Sequence, residues 1–209
     1  MGEERSEDPN RLETGLTCTK GWMELRPRGK LPEKRSHHSS IVYQNFLYVF
    51  GGEDSREGKY GNLWRLNLDE FIEIESKADE DLGREDGKDS EEEETQSPTR
   101  DEKLHWRLIE TKGKQPGKLS HHQTQIIGDK MYLFGGMKND ASNNKSLYSL
   151  DMSTFEWKII EPAGGKKPEG RDDHTMVSSD GNLYVFGGFV EGKRMNDLYS
   201  YDIQANTWE

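Results

Sequence analysis

Short apolar runs recur along the 209-residue chain in a fixed relation to polar ones. Three of them, Phe46-Leu-Tyr-Val-Phe50, Met131-Tyr-Leu-Phe134 and Leu183-Tyr-Val-Phe186, are apolar at consecutive positions, and each leads directly into a glycine pair: Gly51-Gly52, Gly135-Gly136 and Gly187-Gly188. A short unbroken apolar run bounded by glycine predicts a strand covered on both faces, as happens when one sheet is sandwiched between two others. A second kind of segment alternates, as in Leu147-Tyr-Ser-Leu150, and predicts a strand with a half-exposed face. The segments Asp151-Met-Ser-Thr-Phe-Glu156 and Asp202-Ile-Gln-Ala-Asn-Thr207 are short and polar enough for hairpin turns.

These pieces repeat in register. Trp106, Trp157 and Trp208 follow one another at steps of 51 residues. Trp22, Trp106 and Trp157 precede Pro32, Pro116 and Pro168 by 10, 10 and 11 residues; each proline precedes His38, His122 or His174 by 6, and each histidine precedes its glycine pair by 13. Asp69, Asp151 and Asp202 close the run after the glycines, and the next tryptophan follows at 6 residues in two units but at 37 in the first, where an insertion of 31 residues intervenes. Each unit therefore contains four strands: a from the histidine, b ending at Gly-Gly, c ending near the aspartate, and d beginning at the tryptophan. A period near 50 with several short strands per unit predicts a propeller-like array, with no place for long helices.

An apolar run ending in Gly-Gly, a tyrosine and aspartate, and a tryptophan six residues on resemble the signature of kelch repeats, over Trp22 to Glu209. The resemblance implies an all-β fold, a kelch-type β-propeller segment of about three four-stranded antiparallel blades. It implies strand d of a preceding blade at 22–26, a first blade at 35–110, a second at 119–161 and an incomplete third at 171–209. Closing a ring takes roughly four to eight blades, so the segment is expected to be open unless completed by missing sequence or a second chain. Truncation of a longer propeller is the first expectation; a homodimer completing a six-bladed ring is the second.

Charge separates the repeats from the rest. The chain carries a net charge of −11. Residues 1–21 hold five acids against three bases, and Glu73 to Leu104 holds fourteen acids against five bases, so the repeats themselves are formally neutral. The tail 1–21 and an insertion at about 73–104, almost without apolar residues, are expected to be disordered. Ser90, beside four glutamates, and Ser97, before Pro98, are candidate phosphoacceptors. Cys18 is the sole cysteine, which excludes an intrachain disulfide and suits a cytoplasmic, or alternatively nuclear, setting. No 18-residue apolar run and no secretory h-region is present, so no membrane partner is expected.

The candidate chemistry reduces to few residues. The glycine pairs lack the Gly-Lys-Ser/Thr and following helix of a phosphate loop, and read as points of unusual backbone angle where blades crowd together. His38, His122 and His174 recur once per blade and read as structural, not as a metal ring; the tryptophans read as core. The copper oxidases of the kelch class require a cysteine inside the blades, whereas Cys18 lies before them. The iron motif of the plant specifier proteins spaces Glu, Asp and His at four-residue steps; Glu169 and Asp173 match, but Val177 stands in place of the histidine. No enzyme activity, cofactor or metal is therefore expected.

Function is expected in the d-to-a loops instead. Antiparallel alternation places these loops on one rim with the b-to-c loops. Arg26, Arg28, Lys30, Lys34 and Arg35 lie in the first, Lys112, Lys114 and Lys118 in the second, and Lys166, Lys167 and Arg171 in the third, giving a net +9 once Glu33 and Glu169 are subtracted. The reading is a non-catalytic interaction scaffold or adaptor that holds a protein or acidic peptide on this rim. Partner-binding candidates are Arg26, Arg28, Lys30, Arg35, Lys114, Lys118, Lys166, Lys167 and Arg171. Nucleic acid is not the expected partner, because no aromatics interleave with the cations. The alternatives are an architectural fragment without its own ligand and a metal-dependent enzyme of the propeller class.

Overall fold

The computed structural model describes residues 25, 27, 29–68 and 105–209. The tail 1–21, most of the 22–26 segment, the insertion at about 73–104, and with them Cys18, Arg26, Arg28, Ser90 and Ser97, lie outside the described residues. Among the described residues the regular structure consists of strands alone, with no helix.

Three sheets stand side by side. In the first, β1 (Ser39–Tyr43), β2 (Phe46–Phe50), β5 (Leu63–Asn67) and β6 (Trp106–Ile109) pair antiparallel in that order, with a small hairpin of β3 (Glu53–Asp54) and β4 (Gly58–Lys59) rising between β2 and β5. The second carries β8 (Ser120–Ile127), β9 (Lys130–Met137), β10 (Leu147–Asp151) and β11 (Glu156–Ile160); the third carries β13 (Thr175–Ser179), β14 (Asn182–Val190), β15 (Lys193–Asp202) and β16 (Thr207–Trp208). These are the a, b, c and d strands of three blades. The first and third blades turn from a to b through Gln44-Asn45 and Asp180-Gly181, two-residue loops with positive φ at both positions, the geometry that matches strand twist in a hairpin.

The third blade, expected to be incomplete, has a short strand d in β16, and the second and third blades carry one strand beyond four. In the d-to-a connections, β7 (Lys112–Gly113) and β12 (Gly164–Gly165) leave the preceding blade and pair parallel to β11 and β16, so the second and third sheets have five strands. Glycine is required there: Gly113 and Gly165 have φ of 81° and 83°, and a Cβ at either would collide with the backbone of Trp157 or Trp208. The signal was a glycine preceding lysine in each connection, Gly29-Lys30, Gly113-Lys114 and Gly165-Lys166.

Packing between blades follows one rule. The last aromatic of strand b reaches across to the histidine and tryptophan of the next blade: Phe50 lies 5.4 Å from His122 and 5.2 Å from Trp157, and Phe134 lies 5.6 Å from both His174 and Trp208. Two apolar clusters result, one per junction. Strand β10, expected to be half exposed, is buried through Leu150 because both its faces are covered. No third junction is present among the described residues, and the arc is open. Phe186 and Leu198 on the outer face of the third blade are 52% and 64% exposed, and Val42 and Leu108 on the far face of the first are also exposed.

Gly51-Gly52 and Gly135-Gly136 sit at the inner ends of the two junctions, and Gly187-Gly188 holds the equivalent place in the third blade. All six have positive φ, between 63° and 93°. A Cβ on Gly51 would stand 2.7 Å from both the His122 ring and the Leu119 carbonyl oxygen, so the next blade could not approach as closely. These pairs set the distance between blades.

Candidate functional site

The d-to-a and b-to-c connections share one end of the blades, and backbone hydrogen bonds tie them together. Gly52 N–H donates to the Leu119 carbonyl at 2.8 Å, Leu119 N–H to that of Tyr60 at 3.0 Å, and Gly136 N–H to that of Arg171 at 2.8 Å. The rim expected from strand alternation therefore exists as a physical unit.

Its cations divide into two groups. Arg35 and Arg171 turn inward. Arg171 is 1% exposed; its guanidinium donates to the Gly187 carbonyl at 2.9 Å and grips Asp197 with bonds of 2.6 and 3.1 Å, while the cation lies 5.2 Å from the Tyr199 ring. The hydrogen bonds from Arg171 hold the Asp197 carboxyl below its usual range. Arg35 repeats the arrangement, donating to the Gly51 carbonyl at 2.8 Å, to Asn62 Oδ1 at 2.9 Å and to Glu33 Oε2 at 2.6 Å over the Tyr60 ring. The second blade has Leu119 at this place, and Asn144 Nδ2 caps the Gly135 carbonyl at 3.1 Å instead. Both arginines were expected to face a partner; burial and these bonds assign them to the blades. Asn144, the first residue of an Asn-Lys-Ser sequon, is likewise consumed by the fold.

Lys30, Lys114, Lys118, Lys166 and Lys167 are exposed. Lys114 follows β7, and its backbone N–H donates to the Trp157 carbonyl at 2.9 Å, so it stands at the outer edge of the second blade. Lys166 follows β12 in the equivalent place beside Trp208, and Lys30 follows Gly29, which abuts His105 at the outer edge of the first. The structure thus arranges one lysine per blade along the outside of three consecutive blades, with Lys167 next to Lys166 and Lys118 between the first and second. A cleft of about 560 Å³ opens between the second and third blades, lined by Ala141, Asn143, Lys145, Glu169, Val190 and Glu191. Its two carboxylates against one ammonium make it a poor seat for an acidic ligand.

Two of the recurring histidines, His122 and His174, are core groups, whereas His38, expected to be structural like them, is exposed because no blade packs against it among the described residues. His122 Nε2 lies 2.9 Å from Ser39 Oγ across the first junction. Burial depresses the pKa of His122 to about 3, with the nearby His174 adding to it, and burial with the Arg171 charge depresses that of His174 to about 4. Glu169 and Asp173 flank the third blade's histidine, and exposed Val177 gives them no imidazole to complete a ligand set.

A different cluster was not anticipated. His37, His121 and Glu53 bring three ligand atoms within 4.8 Å of one another, the one such grouping of His, Cys, Asp or Glu among the described residues. The sequence signal was a doubled Ser-His-His, at 36–38 and 120–122, in which the first histidine of each pair is the unexplained one.

Residues 83–209 match the KLHDC2/KLHL20/DRC7 Kelch-repeats domain family. Leucine-zipper-like transcriptional regulator 1 of mouse is 26% identical over 197 residues, covering 92% of this chain and 20% of that protein. Kelch domain-containing protein 2 of Bos taurus is 38% identical over 106 residues, 49% of this chain and 25% of that protein. The N-(sulfonatooxy)prop-2-enimidothioate sulfolyase of Thlaspi arvense is 40% identical over 107 residues, 50% of this chain and 30% of that protein. The chain spans about a fifth of the length of the leucine-zipper-like regulators it matches. This chain belongs to the kelch-repeat family, and its all-β blades form an open partial propeller.

Proposed function

We propose that this kelch-repeat segment is a non-catalytic interaction scaffold that binds an acidic protein segment along its outer lysines, Lys30, Lys114, Lys118, Lys166 and Lys167. One observation carries this reading: all five are exposed and none forms a salt bridge among the described residues, with Lys30 lying 5.8 Å from the Trp64 ring, whereas Arg35 and Arg171, the rim arginines among the described residues, are spent on the fold. Exposed cations repeated at blade spacing attract a chain of carboxylates and speed its encounter. The kelch family of the relatives supports a scaffold role. The proposed compartment is the cytoplasm or nucleus, from the single cysteine. The sulfolyase relative favours an enzymatic alternative, against which stands Val177 in the ligand position of the specifier pattern.

The test is affinity purification of the wild-type chain beside a triple variant, Lys114→Glu, Lys166→Glu and Lys167→Glu. The expected result is loss of salt-sensitive partners from the variant with an unchanged thermal midpoint. An identical set of captured proteins would sink the lysine interface.

A second reading concerns the open ends. Phe186 exposes the aromatic that elsewhere meets a histidine and tryptophan, and the first blade's His38 is exposed without such an aromatic. Docking Phe186 of one copy on His38 and Trp106 of another, twice, would complete a six-bladed ring. Light scattering tests it: a strict monomer at working concentration excludes the dimer.

A further inference from the structure

The His37, Glu53 and His121 cluster lies where the first two blades meet at their inner strands, at the opposite side of the blades from the outer-edge lysines Lys30, Lys114 and Lys166. His37 and His121 each precede the histidine that enters strand a, and both hold left-handed backbone, with φ of 53° and 59°. Histidine tolerates this region better than most side chains, but the conformation persists only where the surroundings impose it. Here the imposing contact is visible. His121 N–H donates to the His37 carbonyl at 2.9 Å, and in the next blade Asp173, also left-handed at 50°, donates to the His121 carbonyl at 3.2 Å. The backbone thus fixes successive residues side by side across blades, and it aims the first two at Glu53, which rises in β3.

The side chains have the spacing of ligands, not of hydrogen-bond partners. The imidazole rings stack with centroids 3.7 Å apart and an interplanar angle of 20°. Their Nδ1 atoms stand 3.6 and 4.0 Å from the same oxygen, Glu53 Oε1. Those separations exceed a hydrogen bond. With metal–nitrogen and metal–oxygen bonds of about 2.1 Å, two ligands at the tetrahedral angle of one zinc stand about 3.4 Å apart, so small side-chain rotations close the set. The Glu53 carboxyl is held in place by its neighbours, accepting hydrogen bonds from Ser120 and Lys59. Lys59 Nζ occupies the other oxygen, Oε2, at 3.1 Å, leaving Oε1 to face the histidines. Ser120 Oγ lies 2.9 Å from His121 Nδ1 and would yield that nitrogen to an ion. His37 is about half exposed at its side chain, so an ion reaches the cluster from solvent.

We propose that His37, Glu53 and His121 form a binding site for one divalent transition-metal ion of the zinc type, with a fourth position open to water. Two imidazoles and one carboxylate are the donors such borderline ions select over magnesium or calcium. Because the ligands come from both the first and the second blade, the ion ties the two together.

The test uses the whole chain after chelator treatment, with Zn²⁺ alone in calorimetry and Co²⁺ alone in absorption spectroscopy. One equivalent of Zn²⁺ is expected, with intense visible Co²⁺ bands of four- or five-coordinate nitrogen ligation; carboxylates of the acidic insertion would give only the weak bands of octahedral oxygen ligation. His37→Ala and Glu53→Gln should each weaken Zn²⁺ binding at least tenfold, and Lys59→Met should tighten it by removing a neighbouring positive charge. Both weakened variants alter partly exposed side chains, so they decide the matter even if His121→Ala fails to fold. Absence of a stoichiometric Zn²⁺ site, or affinity unchanged in His37→Ala and Glu53→Gln, overturns the assignment.

Discussion

Phe134 and Phe186 occupy the same place in consecutive blades, each just before a glycine pair, yet one is fully buried and the other 52% exposed. The two blades have the same strand order and the same added outer strand. What differs is the neighbour. Phe134 has the histidine and tryptophan of a following blade against it, and Phe186 has none among the described residues. In a repeat array the stabilising unit is therefore the junction between blades, not the blade, and identical residues carry different energies according to whether a junction exists.

The largest expected effect breaks that comparison directly. Phe134→Ala should cost about 4 kcal/mol in urea unfolding, as for a fully buried aromatic, and Phe186→Ala within about 0.5 kcal/mol, as for a surface change. Equal losses would mean that a partner, or a second copy, covers the third blade.

Acid should act next, through the junction histidines. The depressed pKa values of His122, about 3, and His174, about 4, mean that between those values and the ordinary 6.5 the unfolded chain binds protons that the folded chain refuses. Stability is thus fully present above pH 7 and falls as pH falls. From pH 7 to pH 5 the two together should cost nearly as much as the Phe134 truncation, about 4 kcal/mol, read as a drop in thermal midpoint. Substituting both with glutamine should flatten this dependence, whereas His38→Gln at the open face should change it little.

The smallest effect concerns the carbonyl caps. Arg171→Met should cost about 2 kcal/mol, because the Gly187 carbonyl loses its donor while Asp197, partly exposed, regains water. In the second blade Leu119→Arg tests the reverse: Asn144 already fills that role, so the added charge should not stabilise.

The rim illustrates how far the repeat pattern could be read. Spacing alone located strands a to d and placed Lys30, Lys114 and Lys166 in successive d-to-a loops; that each is exposed at a blade's outer edge is a finding of the structure. Spacing could not separate Arg35 and Arg171 from them, because an arginine three residues before a histidine has the same composition whether it faces solvent or caps a glycine carbonyl. The outer strands β7 and β12 also escaped, since two residues give no periodicity and only the strained glycines betray them.

Period and composition determined that the chain is an array of three Gly-Gly units with its net acidity confined to a tail and an insertion, because strand alternation, turn residues and repeat length are local properties. Only the tertiary structure decided which cations remain free, which histidines are sealed in neutral form, and that His37, Glu53 and His121 meet. Those outcomes depend on distance and burial across blades, between residues up to 84 positions apart.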